Sequence, residues 1–139
     1  MSLKQIEKFH GHIGVWACIG FRAGKYAKKV LKPKSYKDLT ADVYLQDEIP
    51  YTCALDGVQL SSCCTIGKKN LKTHDNDDYY TTFTFLNKKT DKHVKLKVTK
   101  YIFDEIELRQ KMNTGKEDQE DDAKWILKVP ITKLFEINK

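Results

Sequence analysis

Residues 79–101 constrain the fold more than any other stretch. Tyr79 to Leu86 is rich in Tyr, Thr and Phe, the residue types that suit a pleated, half-buried surface. Asn87 to Lys92 reads as a turn. From His93 to Tyr101, Val94, Leu96 and Val98 alternate with Lys95, Lys97 and Thr99. A period of two places the apolar set on one face and the lysines on the other, so residues 79–101 predict an antiparallel hairpin. The lysine-bearing side is a solvated face and also a device against pairing at a sheet edge. It accounts for the concentration of lysine between Lys88 and Lys100. The net charge of +6 over 139 residues is therefore a weak pointer to nucleic acid, whose binders carry a clustered basic footprint, and a nucleic-acid partner is not expected.

Upstream, Ile13, Ala17, Ile19, Ala23, Tyr26, Ala27 and Val30 recur at helical spacing, which predicts a helix over Ile13 to Leu31, stopped by Pro33. Ala17, Gly20, Gly24 and Ala27 make one side of it small. A glycine inside a helix costs about 1 kcal/mol relative to alanine, so two of them imply that another helix or a bound group approaches the backbone. The same face could form a homodimer interface. Leu39 to Gln46 predicts a strand, Cys53 to Cys63 a helix, Cys64 to Asn70 a loop, and Phe103 to Met112 a helix broken by Asn113-Thr114-Gly115. A second helix runs from Glu117 to Leu127, with the acidic run Glu117 to Asp122 at its exposed start, and Pro130 to Phe135 closes the chain as an extended or single-turn segment. Helices, then antiparallel strands, then helices is an α+β pattern. Without repeats or linkers, residues 1–139 read as a single domain. No apolar run approaches the roughly 20 residues of a membrane span, and no signal-like apolar core opens the chain, so a cytoplasmic protein is expected. There, four cysteines are thiols or ligands rather than disulfides.

Two segments hold the chemistry. In Phe9-His10-Gly11-His12 the histidines are two apart, so on a helix they would diverge. Around Gly11, in a turn leading into a helix, both imidazoles can approach one point. In the other reading one histidine caps the helix and the other is a loop residue. In the second segment Cys53, Asp56 and Gln59 fall three residues apart, which lines a thiol, a carboxylate and an amide along one side of a helix. Cys53 could equally be an inert buried thiol. Cys18, among Ala17, Ile19 and Gly20, reads as packing.

The loop Thr65-Ile66-Gly67-Lys68-Lys69-Asn70 could receive an anionic group on its backbone N–H donors with Lys68 as the charge. It lacks the spacing and second glycine of a Walker A loop. Two mechanisms suit these residues. In one, His10, His12, Cys53 and Cys64 bind a divalent metal, zinc by preference, with a position open to water or a small-molecule substrate, while Asp56 or Lys68 orients ligands or moves protons. In the other, Cys64 is a low-pKa thiolate activated by His12 or Lys68. Two histidines and two cysteines are more than a thiolate needs, which favours the metal. A metal carrier without turnover is a third possibility.

Phe9-His10-Gly11-His12, with Arg22 ten positions after His12 in Gly20-Phe21-Arg22-Ala23-Gly24, is similar to the opening signature of the FmdE-like family, that of the formylmethanofuran dehydrogenase E-subunit. Cys53, Asp56-Gly57, Gln59 and Cys64-Thr65-Ile66-Gly67-Lys68-Lys69-Asn70 resemble its second signature, and Val129-Pro130-Ile131 through Leu134-Phe135 its closing stretch. The resemblance implies a metal-binding accessory or stand-alone member related to an oxidoreductase and to methanogenesis, with molybdenum or tungsten enzyme subunits as possible partners. It implies Cys53, Cys64, Asp56 and Lys68 as working residues, and Gln59, Thr65 and Asn70 as groups around a bound ligand. The family's pterin and iron–sulfur clusters belong to other subunits, and this chain lacks the cysteine runs a cluster needs. Cys63 stands where the family more often has glycine. Gly14-Val15-Trp16 replaces a frequent Cys-Pro-Gly, which removes one potential ligand. No C-terminal zinc ribbon of paired Cys-x-x-Cys is expected.

Overall fold

A computed structural model describes residues 2–76, 80–112 and 115–139. Tyr79, Asn113 and Thr114, which the sequence assigns to a strand start and a helix break, lie outside them. The elements run α1 (Ser2–His10), α2 (Val15–Leu31), β1 (Leu39–Leu45), a 3-10 turn (Tyr51–Cys53), α3 (Ala54–Ser62), β2 (Leu71–Asp75), β3 (Thr82–Asn87), β4 (Lys92–Val98), α4 (Lys100–Met112), α5 (Lys116–Lys128), α6 (Ile131–Leu134) and β5 (Phe135–Asn138). The α+β class holds.

The hairpin forms as its alternation requires. In β3 and β4, Phe83, Phe85, Val94, Leu96 and Val98 are fully buried, and Phe83 pairs with Leu96 and Phe85 with Val94. Asn87 closes the turn: its Oδ1 accepts from Lys89 N, and its Nδ2 donates to Leu31 O at the end of α2. The return strand stops three residues before Tyr101. Thr99 Oγ1 accepts from Ile102 N at 3.3 Å, so Thr99 caps α4 and turns the chain out of the sheet.

The sheet order is β2-β1-β3-β4-β5. All neighbours are antiparallel except β1 and β2, which are parallel. The expected all-antiparallel sheet is therefore a mixed one. The reason is α3: a helix between two strands carries the chain back to the starting end, which makes the next strand parallel. β4 is an interior strand, between β3 and β5. Its lysines line the solvent side of the sheet and do not guard an edge.

The helices cover the apolar face. α2 lies over it with Ala17, Cys18, Ile19, Ala23 and Ala27 fully buried, and α3 packs across α2 on the small side of that helix. A Cβ built on Gly20 would sit 1.9 Å from Ala54 O, and one built on Gly57 would sit 2.0 Å from Ala17 O. The backbones themselves touch there. Of the two expected causes, another helix is the one found. The small face is filled within the chain, so Ala17, Gly20, Gly24 and Ala27 offer no surface to a second copy. Arg109 of α4 bonds Asp122 of α5 at 3.0 Å and lies over the Trp125 ring. Asp122, expected on an exposed helix start, is 6% exposed.

Candidate functional site

α1 ends at His10, and Gly11 follows at φ +95 with its N–H bonded to Glu7 O at 2.8 Å. That left-handed turn is open to glycine and closes the helix. It returns the chain so that the His10 and His12 rings lie 4.7 Å apart, centre to centre. The two imidazoles do approach one point, with the first at a helix end.

α3 supplies the next layer. Asp56 reaches across to His10, with Nδ1 and Oδ2 2.6 Å apart. The carboxylate accepts a hydrogen bond from Nδ1–H, which fixes the tautomer and leaves the Nε2 lone pair bare. The His10 side chain is 10% exposed, and its Nε2 is buried with no hydrogen-bond partner. Such an atom is costly unless something completes it. Nε2 lies toward Gly14: a Cβ there would be 3.8 Å from it and 3.2 Å from His12 Cε1. Glycine at position 14 thus keeps space open in front of both rings.

That space is a cleft of about 370 Å³, lined by both histidines, Gly14, Trp16, Pro50 and Cys53, and also by Gln110, Gln119 and Asp122. Cys53 sits at the junction of the 3-10 turn and α3. Burial first, and then the nearby Asp56 charge, hold its thiol above the usual range. Gln110 and Gln119 carry no sequence signal, because two helices far along the chain bring them in. Gly14 carried one, as a departure from the family's Cys-Pro-Gly.

The rest of the second segment, from Cys64 on, goes elsewhere. Cys64 is fully buried. Its Sγ lies 3.5 Å from Leu39 O, and burial is the largest of the influences that raise its pKa. It does not line the cleft with His10, His12 and Cys53, nor does the structure bring Cys64 to His12 as an activated thiolate. Thr65 N donates to Asn70 Oδ1 at 2.8 Å, and Asn70 Nδ2 donates to Leu39 O at 3.3 Å. Ile66 N donates to Gln59 Oε1, and Lys68 donates to Thr65 Oγ1 through both its backbone N and its Nζ. The N–H groups of Thr65, Ile66 and Lys68, which could have cradled an anion, are already engaged by Asn70, Gln59 and Thr65. Cys63 lies at φ 65, a left-handed conformation that accounts for the family's glycine at this place.

Among the described residues, no three His, Cys, Asp or Glu side chains stand close enough together to hold a metal ion, and no helix is long and apolar enough to cross a membrane. What the fold defines is a small α+β protein with a carboxylate-oriented histidine pair at a helix junction. The chain belongs to the FmdE family, described as that of the molybdenum formylmethanofuran dehydrogenase operon, whose model matches residues 9–136. The match takes in both signatures and the closing stretch. The fold is shared by a protein from Syntrophus aciditrophicus that is described as like FmdE, the E-subunit of tungsten formylmethanofuran dehydrogenase, and is known from its crystal structure. The two chains are 19% identical and superpose with a TM-score of 0.61 over 98% of this chain and 68% of that one. No curated protein matches the chain.

Proposed function

We propose that this protein is an accessory or stand-alone FmdE-family member whose cleft binds a divalent metal, zinc by preference, at His10 and His12. The observation that carries the reading is the buried, unpartnered His10 Nε2, oriented by Asp56 from the other side of the ring. A carboxylate behind a histidine is the usual support of a metal-bound imidazole. His12 stands beside it, and Cys53 is a thiol lining the same cleft. These donors leave room for water or substrate, unlike a closed four-ligand site, which suits turnover better than storage. A metal held there would polarise a substrate or lower the pKa of bound water. Asp56 would keep the Nδ1 proton, Trp16 and Pro50 would shield the cleft from bulk water, and Gln110 and Gln119 would offer amides to a polar substrate. The family's operon points to molybdenum or tungsten enzyme subunits as partners.

The test is zinc content by plasma mass spectrometry on untagged protein after reconstitution and removal of excess ion. The wild type should retain close to one equivalent. His10→Ala and His12→Ala should lose it, and Asp56→Asn should weaken binding about 10- to 100-fold. Retention of full zinc by both histidine variants would sink the reading.

A second reading rests on the same His10–Asp56 pair. Without metal, an imidazole whose Nδ1–H is held by a carboxylate is a general base at Nε2, and 370 Å³ is enough for a small molecule. If the wild type takes up no metal, this reading replaces the first.

A further inference from the structure

Arg22 belongs to the opening signature, yet it has no part in the cleft. Its Nη1 donates to two carbonyls at the end of α5, Ile126 O at 3.0 Å and Val129 O. That anchors the guanidinium at the back of a groove of about 540 Å³ between α1, α2 and the end of α5, and this groove shares no lining residue with the histidine cleft. Lys25 and Lys29 follow on the same side of α2, three and then four residues on. The other walls are apolar: Leu3, Phe21, Tyr26, Leu127 and Ile131.

The groove has no counter-charge of its own. No carboxylate lines the groove, and among the described residues none pairs with Arg22, Lys25 or Lys29. Burial alone lowers the Arg22 pKa, with no counter-charge to offset it. Three cations stacked along one helix face repel one another, and the two carbonyls that hold Arg22 are dipoles rather than a counter-charge. A bound anion relieves the repulsion and supplies the counter-charge. Side chains that only kept α2 soluble would not need a groove of ligand size with apolar walls beside them.

We propose that this groove binds an amphipathic anion, with its carboxylate or phosphate head at Arg22, Lys25 and Lys29 and its apolar body against Phe21, Leu127 and Ile131. The head-group chemistry is shared by a free fatty acid and a phosphorylated lipid fragment, and the experiment separates them.

Isothermal titration calorimetry with decanoate and with decyl phosphate, both below their micellar concentrations, tests the proposal. At least one should bind with a submillimolar Kd, and the tighter one names the head group. Octanoate should bind about tenfold more weakly than decanoate, because two methylenes are lost. The exposed-residue double variant Lys25→Ala, Lys29→Ala, checked for an unchanged circular dichroism spectrum, should weaken binding at least tenfold while leaving zinc content untouched. Arg22 is left in place because it also holds α5. The proposal is overturned if neither probe binds by 1 mM (roughly −4 kcal/mol). Binding indifferent to the lysines overturns it, as does decanol or inorganic phosphate binding as well as the amphipathic anions.

Discussion

The turn at His10 and His12 and the loop Thr65 to Asn70 both lie in signature motifs and end in opposite states. Around His10 and His12 the hydrogen bonding stops short: Asp56 satisfies one ring nitrogen of His10, and the other is buried and bare. Around Thr65 to Asn70 most donors are answered: Thr65 N, Ile66 N, Lys68 N and the Lys68 ammonium bond Asn70, Gln59 and Thr65, and the Asn70 amide reaches Leu39 O. A motif can therefore persist because it makes a site or because it makes a turn. Residue identity does not separate the cases, but an account of donors and acceptors does.

That contrast can be broken by substitution. The largest effect should come from Gly57→Ala, beside Asp56 on α3. Its new methyl would sit 2.0 Å from Ala17 O, a backbone atom that cannot step aside, so urea unfolding should show a loss of about 3 kcal/mol or more. Asp56→Asn, one residue away, should shift the midpoint little and act on zinc retention instead.

Alkaline pH comes next. Burial pushes the Cys18 thiol up to about 12 from an ordinary 9.0, and burial raises Cys64 as well. A raised pKa means that the folded state holds the proton after the unfolded state has released it. That stabilisation is whole below pH 9 and fades as pH climbs toward 12. Cys18 alone should account for about 2 kcal/mol of lost stability at pH 10.5. Urea titrations at pH 8 and pH 10.5 should show a shallower fall for Cys18→Ala.

Asn70→Ala should cost about 1–2 kcal/mol by stranding Thr65 N, with no change in bound zinc. The smallest stability effect belongs to His12→Ala. Thermal melts of the metal-free protein should place it within about 0.5 kcal/mol of wild type, while zinc binding is lost. If Asn70→Ala emptied the metal site and His12→Ala unfolded the protein, the roles assigned to the two segments would be reversed.

How far the sequence could be read follows from how many buried residues each element contributes. α2 and the hairpin bury long periodic sets, so their spacing announced them. α1 anchors through Ile6 at 1% exposure and β2 through Leu71 alone. One apolar residue has no period, so neither was foreseen, nor was the short β5. At the site, the approach of His10 and His12 was legible from Gly11, and the shared side of Cys53 and Asp56 from helical spacing. The pairing of Asp56 with His10, 46 residues apart, was not, because it depends on how two helices cross. The inward turn of Cys64 escaped for a related reason: the left-handed step at Cys63 redirects the chain just before it.

The glycine contacts between α2 and α3 carry one more consequence. Most helix pairs meet through side chains, which can be exchanged to shift the axes slightly while the fold survives. Here the spacing is fixed by main-chain atoms, and nothing thinner than glycine exists to replace it. Trp16 on α2 and Asp56 on α3 are thus mounted on a joint that substitution cannot loosen by degrees. Within such a lineage, the cleft can change its chemistry by swapping the groups on its walls, but its width is inherited with the backbone.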